Sequence, residues 1–359
     1  MHVIFRESHG LEETAQPVDL QQTPADMVVL SFSDSDLGAF SVGWHNAKED
    51  LPSLRLANLA ALQHPLSVDT YIEQTLRDAK AVLVRLIGGM PYWSYGLQQL
   101  RAVAEENGIA LAVLAADGRA DSQLDDISTL PVSTLRRLRQ LCDAGGPDAA
   151  SAALAQLALS AGLFARPKIG QKNPPRVGGW SLQNRLSCPA AFALRVIPKP
   201  AVVISFYLSY LTAADLAPIE AAAQALEARG FDVFGVFVPS LKEPESAAWL
   251  QRQMRLIAPV AILNATAFSG KGPDGASPLD IAEVPVFQMA LATSTRAAWA
   301  DTERGLSPAE LAMHVVLPEV DGRLFAGVGS FKDPAARDPQ LQFSRFIHKA
   351  DAPRIAAIA

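Results

Sequence analysis

Short runs of β-type apolar residues alternate with helical patterns along much of this chain of 359 residues. Residues 27–32, 81–87 and 109–114 have the length and composition of buried strands. Strands that alternate with helices are typical of βαβ units, in which helices cover a parallel sheet. The pattern therefore predicts an α/β fold, whose ligand sites are expected in the loops at the carboxyl ends of the strands.

Two helical patterns separate the first three strands. Ser67 is a suitable N-cap for a helix that runs to about residue 80. The next helix is predicted to end before Gly108, which is a plausible C-cap. Its apolar stripe at i, i+3 and i+7 is formed by Leu97, Leu100 and Ala104.

The second half of the chain repeats this organisation without a residue-level repeat. Strands are predicted at residues 201–206, 231–238, 260–263 and 284–288, and a helix at about 245–256. Thr212-x-x-Asp215 resembles a capping box for a helix that stops at Gly230. Leu216, Ile219, Ala223 and Leu226 share one face of that helix.

Prolines interrupt the pattern between residues 161 and 200. We therefore predict an N-terminal α/β lobe at residues 1–160, a Pro-rich connection at 161–200 and a second α/β lobe at 201–359. Both lobes are expected to be Rossmann-like or flavodoxin-like, with mainly parallel sheets. The uncapped apolar C-terminus suggests that the second lobe continues beyond residue 359.

Composition argues against several classes of function. A net charge of -6 without a basic run gives no reason to expect nucleic acid as a partner. No apolar run approaches the ~20 residues that span a bilayer, and the N-terminus lacks a signal-peptide pattern, so we expect a cytoplasmic protein without a membrane partner. Cys142 and Cys188 are expected to be ordinary reduced thiols.

Common catalytic motifs are missing from the sequence. The Gly-Lys of Ser269 to Gly275 has Ala265 where a phosphate loop needs glycine and Gly272 where it needs Ser or Thr. No G-x-G-x-x-G follows the first strand, and no G-x-S-x-G is present. The six histidines form no HxH or HExxH pair. We therefore predict that the chain alone binds neither ATP nor a metal cofactor, and no catalytic residue can be named.

The turn after the strand at 81–87 is the first candidate binding site. Two glycines there are followed by Tyr92, Trp93 and Tyr95, whose rings offer faces for a flat macrocycle. The alternative is that these aromatic residues contribute to packing. Arg85 lies within the apolar strand, so it either belongs to a buried ion pair or contacts an anion.

Polar residues at other predicted strand ends complete the candidate set. They are Asn264 in ILNATAFS, Gln288 in VPVFQ, and Glu319 and Asp321 in LPEVDGR. The acidic pair has too few ligands for a dedicated metal site, and Asp321 before Gly322 is also a usual loop-capping residue.

These segments carry a resemblance to a known family. LSFSDSDL, LRLANLAALQHPLSVDTYIEQTL, AVLVRLIGGMPYWSYG, ILNATAFS, VPVFQ and RGLSPAELAMHVVLPEVDGR, in this order, resemble the N-terminal region of the large, CobN-type subunit of aerobic cobaltochelatase. That subunit is related to the H subunit of magnesium chelatase. The resemblance extends over essentially the whole chain, and family members are several times longer.

The resemblance implies a part in the ATP-dependent insertion of cobalt into hydrogenobyrinic acid a,c-diamide during cobalamin synthesis. It implies that cobalt is a substrate and that ATP with magnesium acts through partners, an AAA+ ATPase subunit and its companion. This portion is expected to gate or scaffold corrinoid binding or subunit docking and to be inactive alone. Two alternatives stay open: a pure interaction module for the ATPase subunits, and a two-lobed protein that binds a small anion.

Limited proteolysis tests the predicted lobe boundaries. A Pro-rich connection with little regular structure is a preferred site of nicking, so we expect the first cuts between residues 161 and 200. Mass spectrometry of the fragments identifies the sites. First cuts inside either predicted sheet would show that the boundary is misplaced.

Overall fold

The computed structural model describes residues 16–116, 121–166, 174–184, 186, 199–272 and 275–359. Contacts divide the chain into two compact units. Unit 1 comprises Met1–Asn173, Thr212–Ala214 and Ala336–Arg345, and unit 2 comprises Pro174–Leu211, Asp215–Ala335 and Phe346–Ala359. Each unit contains a mainly parallel sheet, which confirms the predicted α/β fold. The lobe boundaries at residues 160 and 201 stay predictions.

The sheet of unit 1 has, within the described residues, four parallel strands. They are β1 (Met27–Ser31), β2 (Leu54–Asn58), β3 (Ala81–Leu86) and β4 (Ala110–Ala115). Their order is β2-β1-β3-β4. This is the flavodoxin-like order, in which the chain changes direction between β1 and β3, and the carboxyl ends of those two strands form the switch point where ligands bind in such folds.

Helices cover both faces of this sheet. They are α1 (Asp34–His45), α2 (Pro65–Tyr71), α3 (Ser94–Asn107), α4 (Ser122–Ile127), α5 (Val132–Ala144) and α6 (Pro147–Ser160). Apolar residues of α1, α5 and α6 pack on one face, and those of α2, α3 and α4 pack on the other. Burial on both faces explains why the strands appear in the sequence as continuous apolar runs.

A late segment of the chain, Ala336–Arg345, also belongs to unit 1. Its Leu341 is fully buried in the core beside α1. Arg55 of β2 is buried and donates hydrogen bonds to the carbonyls of Gln340 (2.8 Å) and Thr23 (2.8 Å). Nothing in the sequence predicts this pairing, because its partners are separated by 285 residues.

The sheet of unit 2 has seven strands among the described residues, in the order β11-β10-β9-β8-β6-β7-β5. They are β5 (Gly178–Trp180), β6 (Ala201–Tyr207), β7 (Asp232–Val238), β8 (Ala261–Asn264), β9 (Val286–Leu291), β10 (Leu324–Pro334) and β11 (Phe346–Ala350). The edge strands β5 and β11 are antiparallel to their neighbours, and the central strands are parallel. The central order β7-β6-β8-β9-β10 is again flavodoxin-like, with its switch point between β6 and β8.

The helices of this part of the chain are mostly short. They are α7 (Leu208–Thr212), α8 (Ala217–Ala228), α9 (Pro244–Ile257), α10 (Arg296–Ala300), α11 (Pro308–Leu311), α12 (Leu317–Val320) and α13 (Ala352–Ile358). A π-helical turn, Ala312–Val316, joins α11 to α12. Residues of α8 and α13 pack on one face of the sheet and those of α9 on the other.

Two predicted helix starts are wrong. Helix α2 begins at Pro65 with His64 as its N-cap, whose ring accepts from the Leu66 amide, and Ser67 lies buried inside the helix. The helix continues only through a π-helical turn, Ile72–Leu76. For both helices the sequence contained a competing signal, a proline in the first helical turn: Pro65 in α2 and Pro218 in α8.

Thr212-x-x-Asp215 is likewise not a capping box. Helix α8 starts at Ala217, with Pro218 in its first turn and no side-chain cap. Asp215 instead accepts hydrogen bonds from the backbone and ring of His348. The predicted C-cap Gly108 is confirmed, with a φ of 65°.

Part of the predicted Pro-rich connection, including Cys188, lies outside the described residues. In the described part of this connection, Gly178–Trp180 forms strand β5, which is an edge strand of the second sheet. No helix in the described parts of the chain is both long and apolar enough to cross a bilayer.

Candidate functional site

Arg85 occupies the switch point of the first sheet. It is the fifth residue of β3 and lies beside Ser31, the last residue of β1. Its guanidinium is buried and donates to Asp36 of α1 (3.3 Å), Asp143 of α5 (3.0 Å) and the carbonyl of Ala115 (3.2 Å). The buried ion pair, one of the two interpretations of Arg85, is therefore present.

The charges around Arg85 explain how it remains buried and ionised. Burial opposes its charged form, but the carboxylates of Asp36 and Asp143 outweigh that cost and raise the pKa of the guanidinium. The pKa of the Cys142 thiol is raised to about 12, chiefly by burial, so this thiol stays protonated at neutral pH. The switch point is thus filled by an internal ion-pair cluster.

The aromatic residues after β3 lie elsewhere. Trp93 is buried in the cluster that contains Val82, Val84 and Leu86 of β3, and its indole donates to the carbonyl of Leu62 (2.7 Å). Because side chains alternate along a strand, Arg85 points to the opposite face of the sheet.

Tyr92 and Tyr95 have more contact with solvent. Tyr92 is 65% exposed and Tyr95 37% exposed, and the Tyr95 hydroxyl donates to Asp69. The structure therefore does not bring Arg85 and Trp93 to one surface, and the two tyrosines stay candidates for ligand contact.

In unit 2 the structure brings Asn264 and Gln288 together. Both are fully buried on adjacent strands, and the Asn264 amide donates to Oε1 of Gln288 (2.7 Å). Oδ1 of Asn264 accepts from the hydroxyls of Ser205 (2.6 Å) and Thr266 (3.0 Å). Ser205 lies on β6 and Asn264 on β8, so these bonds close the switch point of the second sheet.

Arg323 extends this cluster to Asp321. Its guanidinium donates to Gln288 Oε1 (3.2 Å) and to Asp321 Oδ2 (2.8 Å), and both charged side chains are buried. Asp321 also accepts from the Ser269 hydroxyl (2.7 Å) and the Gly270 amide (2.6 Å). Burial lowers the pKa of Arg323, and the neighbouring Asp321 opposes that shift.

The fourth candidate of this group, Glu319, is exposed on α12 and makes no side-chain hydrogen bond within the described part of the chain. Arg323 was not singled out from the sequence, although it stands in the same LPEVDGR segment. An arginine just before a buried strand was the available signal.

A second carboxylate at the carboxyl edge of this sheet was also missed. Glu310 is 1% exposed and accepts from the amides of Thr293 (2.6 Å), Ser294 (2.8 Å) and Ser307 (3.0 Å), and from the hydroxyls of Thr293 and Ser294. Burial disfavours its charge, but these donors outweigh burial and lower the pKa of Glu310. Ser307-Pro-Ala-Glu310 forms a capping box, which its S-x-x-E spacing indicates.

Two histidines of unit 2 are buried with one ring nitrogen unpartnered among the described residues. His348 binds Asp215 through Nδ1 (2.7 Å) and leaves Nε2 without a partner. His314 leaves Nδ1 without one, and burial lowers its pKa to about 4. Within the described ranges, no group of three or more His, Cys, Asp or Glu residues is arranged to hold a metal ion.

Most polar groups at the two switch points are therefore used by the protein itself. Asn264, Gln288 and Asp321 bind neighbouring loops and strands, and Arg85 binds two helices. These contacts fix the loops at the carboxyl edges in place, and the side-chain amides of Asn264 and Gln288 have no donor or acceptor left for a ligand.

The fold defines a class of two-unit α/β proteins that includes a chelatase subunit of known structure. A chain described as the catalytic subunit of cobaltochelatase from Mycobacterium tuberculosis superimposes with a TM-score of 0.67 at 22% identity. The match covers 92% of this chain and 26% of that one.

Sequence comparisons identify the family. Residues 189–359 match the CobN/magnesium chelatase family. The chain is 34% identical to the aerobic cobaltochelatase subunit CobN of a Sinorhizobium species, over 95% of this chain and 28% of that protein. It is 32% identical to the CobN subunit of Pseudomonas aeruginosa, over 100% of this chain and 29% of that protein.

Residues 189–359 match the CobN/magnesium chelatase family, and nearly the whole chain is similar to two CobN subunits, which confirms the resemblance seen in its motifs. The chain spans less than a third of the length of the two CobN relatives, 28% and 29% respectively.

Replacing Arg85 distinguishes packing from ligand contact. We expect Arg85→Ala to lower the free energy of unfolding by about 3 kcal/mol, because Asp36 and Asp143 are left without their cation. This value is at the lower end of the range for breaking a buried pair, since both aspartates keep some contact with water. Urea denaturation measures the change. The matched control is Arg101→Ala, which breaks an exposed pair with Glu105 and should cost only about 0.3–0.5 kcal/mol. Equal stability of the two variants would contradict a structural role for Arg85.

Glu310 should make stability depend on pH in the acid range. The pKa of Glu310 is lower in the folded protein than its ordinary value of 4.5. Its contribution to the free energy of unfolding is therefore present above pH 4.5 and is lost as the pH falls through the folded pKa. We expect Glu310→Gln to cost about 1.5–3 kcal/mol at pH 7, the scale of a hydrogen bond to a charged group. The difference from wild type should shrink below pH 4.5 in urea denaturation. Exposed Glu245→Gln is the control, and a pH-independent difference would be evidence against the carboxylate's role.

Proposed function

We propose that this chain is a scaffolding portion of a cobaltochelatase large subunit and takes part in cobalamin biosynthesis. In this proposal the complete subunit acts in the ATP-dependent insertion of cobalt into hydrogenobyrinic acid a,c-diamide. The chain supports the corrinoid-binding surface and does not itself perform the chemistry. Similarity to two CobN subunits, over 95% and 100% of the chain, supports the assignment to this subunit.

The observation that carries the scaffolding role is the closure of both switch points. In a flavodoxin-like sheet this position normally accepts a ligand. Here Arg85 is bound by two aspartates, and Asn264 is bound by Ser205, Thr266 and Gln288. Buried groups that are paired in this way stabilise one loop arrangement, which suits a part that holds a surface in shape.

ATP hydrolysis is assigned in this proposal to the AAA+ subunit and its companion. The sequence SGKG lacks the spacing of a phosphate loop. Lys271, its lysine, donates through Nζ to the carbonyl of Val320 (2.8 Å). We propose that the chain alone has neither ATPase nor chelatase activity.

A second candidate function, docking of the ATPase subunits, is favoured by a group of exposed apolar residues. Val316, Leu317 and Val320 lie on or just before α12, which packs on β10, and are 53%, 36% and 62% exposed. Leu324 of β10 is 56% exposed and lies opposite Phe287 of β9. Clustered exposed apolar side chains are typical of protein–protein contact sites.

Titration with hydrogenobyrinic acid a,c-diamide, followed by tryptophan fluorescence, separates the two functions. If the chain supports the corrinoid-binding surface, we expect saturable quenching by the corrinoid and none by cobalt alone. Tyr92→Ala and Tyr95→Ala, which change exposed candidate contacts, should each weaken binding if that turn is the contact. A fluorescence signal that does not saturate would refute corrinoid contact by this chain.

Docking is tested by co-purification with the ATPase subunits. Val320→Lys and Leu324→Lys should abolish retention if the apolar group is the contact, because each buries a charge in the interface. The matched control is Leu256→Lys, which changes a 46% exposed leucine on α9 of the same unit. Equal retention of all three variants would exclude this surface.

A further inference from the structure

Unit 2 contains a cavity of about 400 Å³ that the proposed scaffolding role does not use. It lies between α10, the turn that follows it, the π-helical turn after α11, strand β10 and helix α13. Its volume falls within the ~300–1,000 Å³ of small-molecule sites. The apolar part of its wall is formed by Leu306, Leu311, Val315, Phe325 and Val328.

Trp299 provides a fixed hydrogen-bond donor in this wall. Its ring is held by the guanidinium groups of Arg354 (4.2 Å from the ring centre) and Arg296 (4.8 Å), and by the ring of Phe331 (5.3 Å). Such stacking favours one orientation of the indole. Its N–H has no acceptor among the described residues, whereas tryptophan N–H groups at binding surfaces usually have one.

Gly305 lies directly beside this donor. A Cβ atom at position 305 would lie 2.7 Å from Nε1 of Trp299, which is closer than atoms approach without displacement. Gly305 also has a φ of +74°, in the region that favours glycine. Both residues line the cavity, and a side chain at position 305 would crowd the indole nitrogen.

The charges in the cavity wall favour an anion. Arg304 is exposed and has no carboxylate partner within the described residues. Arg354 is 3.8 Å from Asp351, a carboxylate that Arg296 approaches more closely, at 3.1 Å. Glu303 is the one acidic residue in the described lining, so two guanidinium groups stand against a single carboxylate. Arginine and an indole N–H together match the acceptors of a carboxylate.

We propose that this cavity binds a small amphiphilic carboxylate. The apolar body of the ligand contacts the wall formed by Leu306, Val315 and Val328. Its carboxylate accepts from the Trp299 indole and is attracted by Arg304 and Arg354. The proposal does not depend on the scaffolding function, because none of these residues belongs to either switch point.

Calorimetric titration of the full chain with 2-naphthoate and with its neutral isostere 2-naphthamide tests this proposal. We expect 2-naphthoate to bind at least tenfold more tightly, because only it has the charge that the arginines attract. Arg304→Gln should weaken 2-naphthoate binding about tenfold, the scale of one hydrogen bond to a charged group, and leave 2-naphthamide unchanged. Arg255→Gln, a change of an exposed arginine on α9, is the matched control and should have no effect.

A second variant tests the location of binding. Val315→Phe fills part of the cavity and should reduce affinity for both probes, with folding verified by the melting temperature. Failure of 2-naphthoate to bind, equal affinity for acid and amide, or unchanged affinity for 2-naphthoate in a folded Val315→Phe protein would each overturn the proposal.

Discussion

Polar side chains buried at the carboxyl edges of the two sheets need partners, because burial removes most of their contact with water. An unpaired buried polar group costs about 1–3 kcal/mol, and a buried charge costs more. In unit 1 Arg85 is satisfied by Asp36 and Asp143, and in unit 2 Asn264 is satisfied by Ser205, Thr266 and Gln288. Each cluster joins strands or helices that are distant in sequence. The arrangement of the loops around both switch points therefore depends on these contacts.

The strands of both units were predictable because their physical cause is local. Burial on both sheet faces selects continuous apolar runs, and the predicted runs at 27–32, 81–87 and 201–206 correspond to β1, β3 and β6. The helix starts at Ser67 and Thr212 were misplaced because a hydroxyl residue is compatible with several local roles. The return of Ala336–Arg345 to unit 1 was not predictable, because it depends on hydrogen bonds such as Arg55 to Gln340 that leave no periodic pattern.

The candidate site was predictable where strand ends determine it. Asn264, Gln288 and Asp321 do converge, but only Asn264 ends a strand, whereas Gln288 lies within β9 and Asp321 precedes β10. Arg323, which joins them, was missed because its partner Gln288 lies 35 residues away. Arg85 and Trp93 were grouped by their proximity in sequence, but the two-residue period of a strand separates Arg85 from the face where Trp93 packs.

The contrast between the switch points and the cavity of unit 2 shows where binding capacity remains. At the switch points, polar groups are matched mainly to one another, so a ligand would have to break existing bonds before it formed new ones. Beside Trp299 the indole N–H and Arg304 have no acceptor within the described chain. A ligand that binds beside Trp299 breaks no hydrogen bond of these donors within the described chain, so its binding costs less free energy than binding at a switch point. In this fold, then, the usual ligand position stabilises the structure, and free donors remain at a second position in the same unit.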